Sequence, residues 1–493
     1  MGSADAIEPV AVDVCENFDS VVDRAPGSPA VTVDGETLTY AELQSLSRRA
    51  ASLLNAMGVA QDVIVALPMS NSLEQYAFFL GAWRLGATPL PVSPKLPEAE
   101  LGKILEVAGT QFVVREGQDL ASQPEWTGPY KTAKMFRAQT TGGSTGTPKV
   151  IIDTTPSRIV LSTGWKWGYD EGPALFVPGP TYHSGPMNHS IEGLSRGLHV
   201  ITMRRFDAAG AVELISKHKP HWALFVPTMM NRILKLPQDV LAKADLSILK
   251  HVWHSAAYCP GWLKQAWIDL VGPDAIWEIF GGSEGCSTTI INGTEWLAHK
   301  GSVGRPFNGE IAIFDEDGQR LPAGEIGEIY MRDDGKPRRF QVTAQVNRRM
   351  LGDWESFGDL GWLDADGYLF LADRRVDMIN AGGQNIYPAE VEAAIQSHPA
   401  VADAVVFGQP DEDLGETVVA LVWAPSAPLR RDDLLEYLAT QIVRYKIPRR
   451  IAFADGPIRN DAGKVRRSDL VITADDDGKL VSLGDAEDAL IRS

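Results

Sequence analysis

The sequence predicts an α/β fold: a large N-terminal domain of mostly parallel βαβ subdomains plus a small β-rich subdomain, followed by a small mobile α+β C-terminal domain. Three observations carry this expectation. Up to Gly301, short apolar runs alternate with helical stretches, an order that implies right-handed crossovers and a parallel sheet covered on both faces. Beyond it, VGRPFNGEIAIFDEDGQRLPAGEIGEIYMR places Asp-Gly and Ala-Gly turns between short alternating runs, the pattern of β-hairpins. A chain of 493 residues is also too long for one ordinary core.

The elements follow in order. LTYAELQSLSRRAASLLNAMG carries Leu43, Leu46, Ala50, Leu53, Leu54 and Met57 at spacings of three and four, with Thr39 as N-cap and Gly58 as stop, so a helix is expected. DVIVALPM suits a buried strand, SLEQYAFFLGAWRLG a helix, and ATPLPVSP a strand and turn. EGPALFVPGP, HVITM, HWALFVP, ILKHVWHSAA and DAIWEIFGG repeat the pattern as further short strands. After Asp366-Gly367, the stretch from YLFLADRRVDMIN to NDAGKVRRSDL has strands and helices of its own. The expected division is residues 1–375, 376–472 and an acidic tail, 473–493, mobile or loosely docked.

Composition narrows the function. Hydrophobic residues are 44% and charged residues 22%, as in ordinary soluble proteins. The excess of 64 Asp plus Glu over 46 Lys plus Arg, a formal −18, disfavours a nucleic-acid partner. No basic segment followed by an apolar run opens the chain and no long apolar run follows, so a cytoplasmic protein without membrane association is expected. Cys15, Cys259 and Cys286 are too few and too scattered for a disulfide framework or a zinc site. A homodimer is the default assembly.

QTTGGSTGTPKV, residues 139–150, is the first stretch with chemistry in it. Its glycines permit close backbone approach, its successive N–H groups form an anion cradle, and Ser144, Thr145 and Thr147 add hydroxyl donors, so phosphate is the natural occupant. It is not a Walker A loop, because Thr147-Pro148 separates Gly146 from Lys149.

TTGGSTGTPKV resembles the phosphate-binding signature of the adenylate-forming superfamily of acyl-CoA synthetases, luciferases and nonribosomal-peptide adenylation domains. LTYAEL, VPT, FGGSEG, GSVGRP, GEIGEIYMR, FGDLGWLDADGYL, RRVDMINAGGQNIYPAEVE and NDAGKVRR follow in the family's order across nearly the whole chain. The resemblance implies an ATP-dependent acid–CoA ligase with Mg²⁺ and coenzyme A. Thr141, Gly143, Ser144, Thr145, Gly146 and Lys149 would surround the triphosphate, and Glu284 would hold Mg²⁺. Ser283 would meet the α-phosphate, Phe280 would stack on adenine beside Gly281 and Gly282, and Asp359 with Arg374 would hold the ribose. Lys464 would be the catalytic lysine of adenylation, and Gly382 and Gly383 would let a pantetheine arm pass. His183, Trp253, Ala256, Ala257 and Gly281 would border the acyl group. The variants GTEWLAHKGSVGRP and TGGSTGTPKV look most like ligases for sterol, bile-acid or other alicyclic acids, so a bulky alicyclic, polycyclic or aromatic acid is expected.

Several positions depart from the family pattern: Phe280 for Tyr, Ser283 for Thr, Gly142 for a hydroxyl residue, Val150 for Gly, Asn460 for Thr, and Val376 at the hinge. Val376 is stiffer than the usual Lys or Asp. These departures bear on domain rotation and on the ATP half-reaction. They leave room for an enzyme that only converts a supplied acyl-adenylate to acyl-CoA. The other readings are a stand-alone enzyme loading a carrier protein, a luciferase-like oxygenase and a non-catalytic binding protein.

Overall fold

A computed structural model describes residues 11–141, 149–161, 167–241, 244–282, 287–333, 340–343, 349–374, 377–381, 384–411, 414–425, 428–460, 463–465, 467, 470, 472–474 and 480–483. The backbone of this architecture is a fifteen-stranded sheet. Its centre is parallel: Pro29–Val33, His199–Thr202, Ala174–Phe176, Trp222–Phe225, His251–His254 and Ile276–Gly281 lie side by side in that order. These are the apolar runs of the middle segment. Their side chains alternate, with Phe176, Ala223, Phe225 and Val252 in one core and Leu175, Trp222, Leu224 and Trp253 in another, so both faces are covered.

The hairpin-rich segment is not separate from that sheet. Thr288–Asn292 pairs antiparallel with Ile276–Gly281, and Ser302–Asn308, Leu369–Arg374, Asp359–Leu363 and Gly327–Arg332 continue from it. Parallel pairing thus gives way to antiparallel pairing at Thr288–Asn292, ahead of Gly301, and the hairpins that follow continue the same sheet. Gly304 permits the continuity: its φ is +102°, and a Cβ there would stand 2.3 Å from the Ile290 carbonyl oxygen of the neighbouring strand.

Helix Tyr40–Ala56 forms where its periodicity predicts. Thr39 and Glu42 close a reciprocal capping box at its start. It buries Leu43, Ala50 and Leu54 against helix Leu73–Arg84, where Gly81 lets the two backbones approach. Met57, expected on the apolar stripe, lies beyond the last helical residue and is exposed. Ile64–Pro68 and Thr88–Val92 pair in parallel but form a sheet of their own.

Leu369–Arg374 is the last strand of the large sheet, and Ile379–Ala381 is the first of a five-stranded sheet with Gln384–Ile386, Gly415–Trp423, Asp403–Asp411 and Arg450–Phe453. Both faces of this smaller sheet are covered too. Ala404, Val406, Val418 and Ala420 pack under helices Pro388–Gln396 and Arg431–Gln441. Val405, Phe407, Val419 and Leu421 face the other way, under Ile458 and Leu470. Ile472–Ala474 pairs with Leu480–Leu483 as an antiparallel ribbon. No helix among the described residues is long and apolar enough to cross a membrane.

Candidate active site

Four loops leave the carboxyl ends of adjacent parallel strands, the position where open α/β sheets bind ligands. After Ala174–Phe176 the chain reaches His183, which precedes helix Ser184–Arg196. After Trp222–Phe225 it enters Val226, Pro227 and Thr228 at the start of helix Pro227–Leu234, where Pro is suited to the first turn. After His251–His254 come Ala256 and Ala257, and Ile276–Gly281 ends on Phe280 and Gly281. Ala256 holds a φ of +75°, a left-handed conformation costing an L-residue about 1–2 kcal/mol.

Into this rim reaches the turn that carries Lys464. Gly463, at φ +72°, packs so closely on Thr228 that a Cβ would lie 3.0 Å from its Oγ1. Asn460 shapes the turn: its Oδ1 accepts from the Lys464 N–H at 2.9 Å, while its own N–H donates to the Lys464 carbonyl at 3.0 Å. Burial and, second, the Lys464 ammonium hold the His183 imidazole down at about 3. Its Nε2 is buried without a hydrogen-bond partner among the described residues. A neutral imidazole and an exposed lysine therefore come together where two parts of the chain converge.

The phosphate-like loop is the connection of a hairpin. Arg137–Thr141 and Lys149–Asp153 pair antiparallel with Thr141 opposite Lys149, and residues 142–148 between them lie outside the described residues. Val150, where the family has Gly, is fully buried with Leu90, Ala138 and Ile152, which explains the larger side chain. Gly143, Ser144, Thr145, Gly146, Ser283, Glu284, Gly382 and Gly383 lie outside the described residues, as do Gly142, Cys286 and Val376.

Asp359 and Arg374 are direct partners in the register of Asp359–Leu363 with Leu369–Arg374. The Phe280 ring is half-buried against Val303, Ile311 and Ile329, and Gly281 and Gly282 are exposed beside it. Trp253 is fully buried, its ring 4.6 Å from Trp167 and 5.2 Å from Trp277. Tyr169, His189 and Trp222 extend this into one aromatic layer between the sheet and helix Ser184–Arg196. Ala256 is exposed at the rim and Ala257 is half-buried. Burial pushes the Cys259 thiol far up, away from the thiolate that nucleophilic chemistry needs.

Residues 18–336 match the family profile described as AMP-binding enzyme, and residues 390–464 match the AMP-binding enzyme C-terminal domain. The chain belongs to the AMP-binding enzymes. Like other members of this adenylate-forming superfamily of acid–thiol ligases, it has named relatives of full length. It is 29% identical over 472 residues to the long-chain-fatty-acid–CoA ligase FadD13 of Mycobacterium tuberculosis, covering 88% of this chain and 92% of that protein. It is 30% identical over 490 residues to the fatty acid–acyl-carrier-protein ligase ScoC of Streptomyces coeruleorubidus, covering 90% and 93%. The solved o-succinylbenzoate CoA synthetase of Bacillus subtilis, in complex with its acyl-adenylate intermediate, shares the fold at a TM-score of 0.77 and 24% identity, covering 93% of this chain and 98% of that one.

Within this AMP-binding enzyme, sequence reasoning missed the supports of the Lys464 turn. Arg459 donates to Asp403 at 3.1 Å, to Glu392 at 2.7 Å and to the Gly463 carbonyl at 3.4 Å. Arg467 donates to Glu392 at 2.8 Å and to Asp377 at 2.9 Å. The carboxylate partners Asp403, Glu392 and Asp377 are distant in sequence, so no local spacing announces them.

Proposed function

We propose that the protein is an ATP-dependent acid–CoA ligase that makes an acyl-adenylate from a bulky aromatic, alicyclic or polycyclic acid and then its CoA thioester. The observation that carries this is the convergence of the Lys464 turn on the carboxyl ends of the parallel strands, beside His183. A compact ammonium there bridges the attacking carboxylate and the α-phosphate and neutralises charge as it builds in the transition state. The carboxylate oxygen attacks the α-phosphorus and expels pyrophosphate. In the second step a thiol sulfur attacks the acyl carbonyl, loses its proton and expels AMP.

The other roles follow residue by residue from the family. Thr141 and Lys149 close the loop in which Gly143, Ser144, Thr145 and Gly146 cradle the departing pyrophosphate. Phe280 offers a ring face to adenine, with Gly281 and Gly282 leaving it open. Asp359 accepts the ribose hydroxyls beside Arg374, a role that their cross-strand pairing suits. Glu284 is the Mg²⁺ ligand, a hard oxygen donor suited to an ion shared with phosphate, and Ser283 donates to the α-phosphate. Mg²⁺ bound there supplies charge neutralisation on the phosphates. Gly382 and Gly383 border the path of the pantetheine arm, with the hinge at residues 375–376.

The preference for a bulky acid rests on the family resemblance, and the half-buried Trp167 and Trp277 rings, packed on the buried Trp253, are its candidate apolar contacts. His183, Ala256 and Ala257 would border the acyl group at its rim. ATP–pyrophosphate exchange over a panel of acids tests adenylation and substrate together; best kcat/KM with acetate or a long linear acid would sink the bulky-acid reading. Lys464→Ala is expected to abolish exchange while sparing thioester formation from a supplied acyl-adenylate. Unchanged pyrophosphate release removes Lys464 from the mechanism.

The ScoC relative gives a carrier-protein thiol a concrete claim as acceptor. Competition between CoA and a holo carrier protein for one acyl-adenylate decides between them.

A further inference from the structure

Helix Pro227–Leu234 touches the small domain at both ends. At its start, Thr228 receives Gly463 and so fixes the turn of Lys464. Just past its end, the Lys235 ammonium reaches the end of helix Pro388–Gln396 in the small domain. It donates to the carbonyl oxygens of Gln396 at 3.1 Å and His398 at 3.4 Å, and also to that of Val401. The last carbonyls of a helix lack intrahelical partners and carry the negative end of its dipole, so a cation is well placed there. Asn231 adds a bond from its Nδ2 to the Ala402 carbonyl at 3.3 Å, and Trp262, on the large-domain helix Gly261–Val271, donates from Nε1 to the Ala393 carbonyl at 3.2 Å. Arg232 lies over the Trp423 ring at 5.8 Å.

We propose that Lys235 is a positioning residue, an interdomain latch that holds the small domain in the orientation that seats Lys464 beside His183. The inference rests on the adenylating role of Lys464 given above. A rotation that withdraws Lys464 must also return Lys235 to water and free three carbonyls. The latch therefore acts on one half-reaction and not on the other. Burial lowers the Lys235 amine to about 8, with Asp403 opposing that shift; in this orientation its carbonyl partners take the place of the water it loses.

The test uses the full-length enzyme. Lys235→Met keeps the apolar stem and removes the donors, and hydrogen bonds from a charged group justify an expected loss of about tenfold in ATP–pyrophosphate exchange. Thioester formation from a supplied acyl-adenylate should stay at the wild-type rate or rise. Lys235→Arg, which keeps the charge and the donors, should restore most of the exchange. Equal losses in both half-reactions, or no loss in either, would overturn the latch. A second readout is independent of turnover: spin labels at Lys103→Cys and Ala439→Cys should report a broader interdomain distance distribution with Lys235→Met. If the wild type itself shows no exchange, the adenylation reading fails, while an unchanged label distribution overturns the latch itself.

Discussion

Lys464 is presented by its neighbours. Gly463 provides the left-handed φ that turns the chain and the missing Cβ that lets it lie on Thr228. Asn460 then ties the Lys464 backbone from both sides. Gly463→Ala meets two penalties, about 1–2 kcal/mol for the left-handed conformation and a contact with the Thr228 hydroxyl. Because that contact exists only in the docked orientation, adenylation should fall about tenfold or more while thioester formation from a supplied adenylate changes little. Adding Thr228→Ala should recover the contact part alone, so full recovery would show that backbone strain does not matter here. His183 belongs to the same scale. Burial and, second, Lys464 hold its imidazole at about 3, so it is neutral near pH 7.

The small domain depends on a charge network that joins its elements. Arg459 connects strand Asp403–Asp411, helix Pro388–Gln396 and the Lys464 turn, and Arg467 shares Glu392 with it. Asp403 and Glu392 are buried, so removing Arg459 leaves carboxylates in the interior with reduced compensation. Arg459→Met should therefore destabilise the small domain by about 3–5 kcal/mol. Differential scanning calorimetry should show an early, separate transition; a single unshifted transition would show the network to be dispensable. Much at this scale was legible in the sequence. The helix that follows the Thr39 cap and the apolar strands have local signatures of period or turn chemistry. What stayed hidden was non-local. Arg459 and Glu392 lie in separate elements, and the docking of helix Pro227–Leu234 depends on a surface its own periodicity does not encode. Nor does hairpin texture reveal whether the strands after Gly301 join the parallel sheet or stand apart.

At the scale of the whole molecule, the large interior encloses titratable groups as well as apolar ones. Burial lowers His183 to about 3, and His189 and His199 to about 4, from an ordinary value of 6.5. On acidification the unfolded chain takes up these protons first, while the folded protein resists until near pH 4. The stability these histidines contribute is thus complete above about pH 6.5 and is lost as pH falls through the interval below it. Each adds a slope of up to about 1.4 kcal/mol per pH unit within that window. The urea midpoint should therefore drop steeply between pH 6.5 and 4, before most carboxylates titrate. His199 isolates one contributor, since its Nε2 lies 2.7 Å from the Thr32 Oγ1 and an amide can keep a bond there. His199→Gln should flatten the dependence by about one proton without changing its direction. A variant curve parallel to the wild type across the whole interval would remove His199 from the origin of acid sensitivity.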